Sequence, residues 1–326
     1  MRAVATERYG PADTLEIKEI DQPRPTEDEV VIRIRAASVN AGDWHLMRGT
    51  PWLVRLGFGL FRPKIRVLGA DAAGTVAAVG AEVRDFQVGD EVIADLSESG
   101  FGGFAEYARC KAEHAAKKPG SLSFAEAAAL PSAGTTALQG VRDHGRVREG
   151  ESVLINGASG GVGSYAVQIA AALGARVTAV CGPGKEERMR SLGAERVIDY
   201  TKEDFTQGSA QYDLIYAVNG NHSLKEYRRA LKPQGRFVVS GGEGNQFTEA
   251  AVKGSMLSRK EGQSFKGFLK AVSGKDLAEL ARLGDEGKLK VLIDRKYSFN
   301  DTPQAIAYVE QGHAKGKVVI EMEDAK

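Results

Sequence analysis

Residues 153 to 163 read VLINGASGGVG, which places Ala158, Gly160 and Gly163 at the spacing of a turn able to hold a pyrophosphate. Gly160 and Gly161 present no Cβ to keep an anion off the backbone, and Gly163 lets the following helix press on its strand. Free N–H groups at the start of that helix would complete the cradle. The flanks have the required grammar: ESVLI is a short β-rich apolar run, and SYAVQIAAALGA has the length and apolar spacing of a helix. Alanine at the first glycine position leaves the isolated motif equally readable as a plain structural turn, so its neighbours must decide.

A dinucleotide site puts a ribose-reading residue at the end of the second strand, roughly 20 residues past the glycines. Residues 180 to 188 read VCGPGKEER, with no carboxylate between Cys181 and Gly184, followed by Lys185 and Arg188. Absence of the acid and presence of cations suit the 2′-phosphate of NADP, so NADPH is the expected cofactor. The competing reading keeps Lys185 and Arg188 as solvated charges paired with Glu186 and Glu187. Tyr200, at the end of the third strand, either adds its ring and hydroxyl to the same pocket or is an ordinary strand-end aromatic.

Elements that would position these residues follow from the hydrophobic pattern. From residue 1 to 122 short alternating strands are separated by Gly, Pro and Asp turns, as in DEVVIRIRAASVN, AAGTVAAVG and FQVGDEVIA. From 123 onward FAEAAALPSAGTTALQGV reads as helix. Apolar strands SVLIN, ARVTAVC, RVIDY, DLIYAV, RFVVSG and GFLKAV then alternate with helices such as KEERMRSLGA and LKEYRRALKPQG. That alternation predicts an α/β fold with a doubly wound, six-stranded parallel Rossmann sheet. After 288, LKVLIDRKYSF, TPQAIAYVEQGHA and KGKVVIEM return to mixed texture that completes the first domain. The expected domains are 1–122 with 288–326, mostly β, and 123–287, dinucleotide-binding.

With 326 residues, 44 basic and 43 acidic, the chain carries a net charge of +1, which gives no electrostatic reason for a nucleic-acid or anionic-membrane partner. No stretch approaches the ~18 uninterrupted apolar residues of a membrane span, and the start lacks a signal-peptide core, so a cytoplasmic protein is expected. The two cysteines, Cys110 and Cys181, are too few for a disulfide framework or a Cys₄ zinc site.

The chain resembles the zinc-independent branch of the medium-chain dehydrogenase/reductases, especially the quinone oxidoreductase-like proteins. The carriers are SVNAGDW at 38–44, LGADAAGTVAAVG at 68–80, GDEV at 89–92, GGFAEY at 102–107, ALPSAGTTALQG at 129–140, NGASGGVG at 156–163, LGAERVIDY at 192–200 and GKVVI at 316–320. The family commonly uses the A-x-G-G-x-G turn, and the resemblance implies a GroES-like catalytic domain around the Rossmann domain. It also implies that Lys185 and Tyr200 flank the 2′-phosphate and that Thr135 lies near the nicotinamide. The family often has Ser or Thr and Arg after the second strand, where this chain has GPGK. The expected cofactor set is Thr135, Ser159, Gly160, Gly161, Val162, Gly163, Cys181, Lys185, Tyr200 and Gly241.

Zinc-dependent relatives hold a catalytic zinc with Cys and His ligands where this chain has Asn40 and the GAD of 69–71, and the clustered cysteines of a structural zinc are missing, so no metal is expected. Asn40 and Asp43 are expected to shape the cleft, and His45 to donate a proton or hold an oxyanion, unless all three merely tie down a loop. His114, His144, His222 and His313 are expected at the surface or in loops. Without a metal, a conjugated enone or quinone is the expected substrate, because its reduced anion is spread over several atoms and needs only hydrogen bonds and a proton. Residues 47–68 concentrate Trp52, Leu53, Leu56, Phe58, Leu60 and Phe61, either as a lipophilic lip over the substrate or as part of the first core; Arg and Gly interrupt the pattern, which makes membrane attachment the least favoured role. A homodimer reducing quinones or enones with NADPH is thus expected. The alternatives are an NADP(H)-binding protein with little turnover and, less favoured, a zinc-dependent alcohol dehydrogenase.

Overall fold

The computed structural model describes residues 1–209, 211–220, 222–241, 246, 247, 249, 250, 252, 262–312 and 314–322. The chain forms two compact units: Met1–Ala133 with Val272–Gly287 and Val291–Lys326, and Gly134–Ala271 with Lys288–Lys290. The units part eleven or so residues later than the β-to-helix change in texture. The reason is local packing: the helix Phe124–Ala128 lies on the strands Glu29–Val39 and Asp71–Val79, and the helix Gly274–Asp285 lies on Glu91–Asp95 and Ala115–Lys117. Residues 272–287 therefore group with the first unit, not with the nucleotide-binding domain expected from the sequence.

The first unit is organised by the strand Glu29–Val39, whose alternation leaves Val30, Ile32 and Ile34 in the core. One edge pairs antiparallel along Asp71–Val79. The other edge is shared: Tyr107–Lys111 pairs with residues 29–33, and Lys317–Glu321 with residues 36–39. In that register Val318 sits opposite Val39, which brings Lys317 to the end of the strand where Asn40 begins the next turn. On the other side Asp71 sits opposite Ser38. The core around this sheet is filled by Val4, Leu68, Phe104, Phe299, Ile306 and Ile320 among others.

The second unit is a parallel sheet in the order Arg196–Asp199, Arg176–Cys181, Ser152–Asn156, Tyr212–Ala217, Leu231–Val239, Ser264–Gly267. Numbered along the chain, that order is 3-2-1-4-5-6, the arrangement that opens a ligand crevice where the winding reverses beside Ser152–Asn156. Its strands are near-continuous apolar runs because both faces are covered, with Leu154, Val180, Ile215 and Phe237 fully buried. The sixth strand differs from the expected GFLKAV. It runs Ser264–Gly267, where Phe265 buries into the sheet, and past Gly267 the chain leaves the ladder and exposes Leu269.

Candidate functional site

In the first unit the strand register gathers a polar centre. Asp71, fully buried, accepts from Ser38 Oγ at 2.7 Å, Asn40 Nδ2 at 2.9 Å and Ser132 N at 2.9 Å. Lys317, also buried, donates to Asn40 Oδ1 at 2.6 Å, and its Nζ lies 3.4 Å from Asp71 Oδ2. Asn40 caps the helix Ala41–Arg48, and Asp43 in its first turn accepts from Asn40 N at 2.7 Å and Gly69 N at 3.1 Å. Burial pushes the Asp43 carboxyl up to about 7; the neighbouring Asp71 charge adds to the rise, while the two N–H donors and Lys317 oppose it.

The structure thus brings Asn40 and Asp43 together, with both amide ends of Asn40 already engaged. His45 makes its contacts outside that network. Its ring stacks on Trp44 and its Nδ1 lies 2.8 Å from Thr50 O, a carbonyl that only accepts, so Nδ1 carries the proton and Nε2 is the uncommitted nitrogen. Burial lowers its pKa below the usual 6.5. Lys317, Ser38 and the Ser132 amide are members of the centre that spacing alone does not identify; the only sequence signal for Lys317 is its place in GKVVI. Of the other histidines, His114 lies in a connecting turn, as one of the two expected placements has it, but is buried beside Ser99 and not at the surface, because its turn between Tyr107–Lys111 and Ala115–Lys117 directs the ring inward. His144 stacks on Phe268, His222 packs on Phe205 and Tyr227, and His313 lies outside the described residues.

In the second unit the glycine turn leaves Ser152–Asn156 and enters the helix Gly161–Ala172, with Gly157 at φ 86° where a Cβ would be strained. Gly157 and Ala158 donate their N–H groups to Val180 O, which fastens the turn to the second strand. The first intrahelical bond runs from Ser164 N to Gly160 O at 3.0 Å, so the N–H groups of Gly161, Val162 and Gly163 precede the ladder. The glycines differ in purpose. A Cβ at Gly163 would come within 2.1 Å of Gly157 O, a matter of helix packing, whereas at Gly160 it meets nothing nearer than 3.7 Å. The space before Gly160 is therefore open to a ligand.

Lys185 donates to Ser159 Oγ at 3.0 Å and makes no ion pair with a described residue; Glu186 is bonded to Arg190 instead, at 2.9 Å. Cys181 ends the second strand, buried, and Tyr200 is exposed with its hydroxyl against Gly182. Thr135 and Gly241 are placed differently from this cluster. Tyr216, fully buried, donates to Thr136 O at 3.1 Å and bonds Ser240 Oγ at 2.8 Å, so it links the neighbours of both residues. Thr135 Oγ1 is buried with no hydrogen-bond partner among the described residues, an orphan that a ligand would satisfy. The open space at Gly160, the uncompensated Lys185 cation and this orphan hydroxyl together fit a phosphate-bearing dinucleotide.

Residues 26–120 match the alcohol dehydrogenase GroES-like domain, and residues 192–320 match the zinc-binding dehydrogenase model. The chloroplast envelope quinone oxidoreductase homolog of Arabidopsis thaliana is 33% identical over 334 residues, 98% of each chain. The chloroplastic NADPH-dependent alkenal/one oxidoreductase of the same plant is 32% identical over 339 residues, 98% of this chain and 79% of that one. Among solved structures, the quinone oxidoreductase from Coxiella burnetii superposes with a TM-score of 0.87 at 28% identity, over 99% of both chains. The chain belongs to the medium-chain dehydrogenase/reductases, in their quinone oxidoreductase-like branch.

Proposed function

We propose that this chain is an NADPH-dependent reductase of quinones or α,β-unsaturated carbonyls that works without zinc, as a cytoplasmic homodimer. The observation that carries the reading is the polar centre of the first unit. The positions where zinc-dependent relatives place metal ligands hold Asn40 and Asp71, and both are bonded to the buried ammonium of Lys317. A fixed cation at that place opposes a second one, and the donor set lacks the Cys and His that zinc prefers. Among the described residues no group of three or more His, Cys, Asp or Glu is disposed to hold a metal ion.

The cofactor-binding residues in this reading are Ser159, Gly160, Gly161, Val162 and Gly163 at the pyrophosphate, with Cys181, Lys185 and Tyr200 at the adenosine end and Thr135 and Gly241 toward the nicotinamide. When bound, NADPH supplies the hydride. Lys185 holds the 2′-phosphate through a charge-assisted bond. Asn40 and Asp43 keep the first helix and its loop in place, and His45 delivers the proton that completes the reduction. Its neutral form leaves Nε2 an acceptor, so delivery requires the imidazolium. Since burial lowers its pKa, turnover that depends on it falls as pH rises through a value below 6.5.

The test is NADPH oxidation with a panel of enones and quinones set against saturated ketones and secondary alcohols, before and after chelation. Conjugated acceptors are expected to react at least about a hundredfold faster, because a localised alkoxide loses a strong oxyanion contact worth ~2.7–4 kcal/mol when no metal is present. EDTA is expected to change nothing. NADPH binding without turnover of any acceptor would favour a sensor or structural role, and zinc-restored alcohol oxidation would favour a metal-dependent dehydrogenase.

A further inference from the structure

No acidic residue lies between Asp43 and Asp71, while Arg48, Arg55, Arg62, Lys64 and Arg66 all do. In sequence, Arg and Gly interrupt the apolar pattern of this stretch and argue against a membrane surface. The structure changes what the interruption means. Around the short helix Val54–Phe58, the side chains of Trp52, Leu53, Leu56 and Phe61 are 59, 64, 61 and 86% exposed, so they are not part of the core. Yet their backbone is anchored. Tyr9 Oη donates to Gly59 O at 2.6 Å, Arg55 Nε donates to Gly49 O at 3.0 Å, and the Arg55 guanidinium lies 4.6 Å from the Tyr9 ring. Val54 and Ile65 pack on the core below. The fold holds large apolar side chains outward on a fixed base.

Beside them Arg62, Lys64 and Arg66 are exposed and make no ion pair with a described residue. Glu7, an acid whose carboxyl feels Arg62 and Arg66, is bonded to Lys18 at 3.0 Å. We propose that residues 51–66 seat this protein on an anionic phospholipid surface, with Trp52, Leu53, Leu56 and Phe61 entering the interface and Arg62, Lys64 and Arg66 meeting the headgroup phosphates. Charge complementarity selects the occupant, since no acid lies between Asp43 and Asp71, the Glu7 carboxylate near Arg62 and Arg66 is bonded to Lys18, and an aromatic and aliphatic tip followed by three exposed cations matches the boundary between anionic headgroups and acyl chains. A protein partner is less well matched: a stable interface needs roughly 20–30 residues a side, and this tip offers a handful.

The test mixes the full chain with phosphatidylcholine vesicles, with or without phosphatidylglycerol, and reads sedimentation and tryptophan emission. Binding is expected only with phosphatidylglycerol, released by high salt, and accompanied by a blue shift that Trp52→Phe removes while sedimentation persists. Leu53→Ser with Phe61→Ser, and separately Arg62→Ser with Lys64→Ser, should each weaken binding by about tenfold or more, with unchanged melting temperature since these side chains are exposed. Failure to sediment with anionic vesicles, equal binding to phosphatidylcholine alone, or indifference to either pair of substitutions would overturn the proposal. So would unchanged vesicle binding by the Leu53/Phe61 variant together with a raised KM for a quinone, which would make the segment a substrate lip.

Discussion

The polar centre of the first unit and the glycine turn of the second are both rich in hydrogen-bonding groups, yet they are built oppositely. Around Asp71, Asn40 and Lys317 the groups satisfy one another inside the protein. In the second unit they are left over: among the described residues Lys185 at the turn pairs with no carboxylate and Thr135 Oγ1, apart from it, has no partner, while the space before Gly160 is open. A buried network whose members are all engaged fixes geometry, whereas groups held in place without partners describe the ligand they await. The same contrast separates a residue whose loss unfolds the protein from one whose loss only weakens binding.

Breaking the first region should have the largest effect. Lys317→Met leaves Asp71 a buried charge without its cation, and the expected loss is on the order of 3–5 kcal/mol in denaturant unfolding. An unchanged midpoint would mean that the centre is not the fixed unit described here.

Asp43 gives the centre a pH signature. Its folded pKa of about 7 lies above the ordinary 3.8, so between these values the folded state binds more protons than the unfolded chain. Its contribution is fully present below the unfolded value and is lost as pH rises through the folded one, with a slope of up to ~1.4 kcal/mol per pH unit. Unfolding curves of the unmodified protein and Asp43→Asn across that window should diverge in slope; parallel profiles would contradict the assignment.

Two glycines sharpen the comparison within the turn itself. Gly163→Ala drives a Cβ into the Gly157 carbonyl, an obstruction that backbone cannot easily relieve, and should cost ~1–3 kcal/mol. Gly160→Ala has room and an ordinary extended backbone at φ −78°, so stability should stay within about 0.5 kcal/mol while cofactor binding weakens. Equal stability losses at the two positions would remove the distinction between packing and ligand space.

Local sequence pattern carried most of this architecture. Alternation in DEVVIRIRAASVN marks Glu29–Val39, and the apolar runs ESVLI and ARVTAVC flank the turn where the parallel sheet has its first two strands. What the pattern does not encode is partnership across the chain. Lys317 reaches Asn40 over 277 residues, and only the register that sets Val318 against Val39 makes that contact. The misplaced sixth strand has the same cause, since which four residues of an apolar run pair is decided by the neighbouring strand Leu231–Val239 and not by the run. Exposure of Trp52 and Phe61 was equally hidden, because apolar composition is the same whether a side chain faces the core or the solvent.

The claim that the turn reads an adenosine 2′-phosphate is tested most directly by titrating NADPH and NADH into the unmodified protein and Lys185→Ala. NADPH should bind the unmodified protein more tightly, and Lys185→Ala should narrow the gap by roughly tenfold to a hundredfold, the worth of one charge-assisted bond of ~1.5–3 kcal/mol. Melting temperature should hold, since among the described residues Lys185 is bonded only to Ser159 at the edge of the turn. Equal dissociation constants for the two cofactors in the unmodified protein would contradict the account.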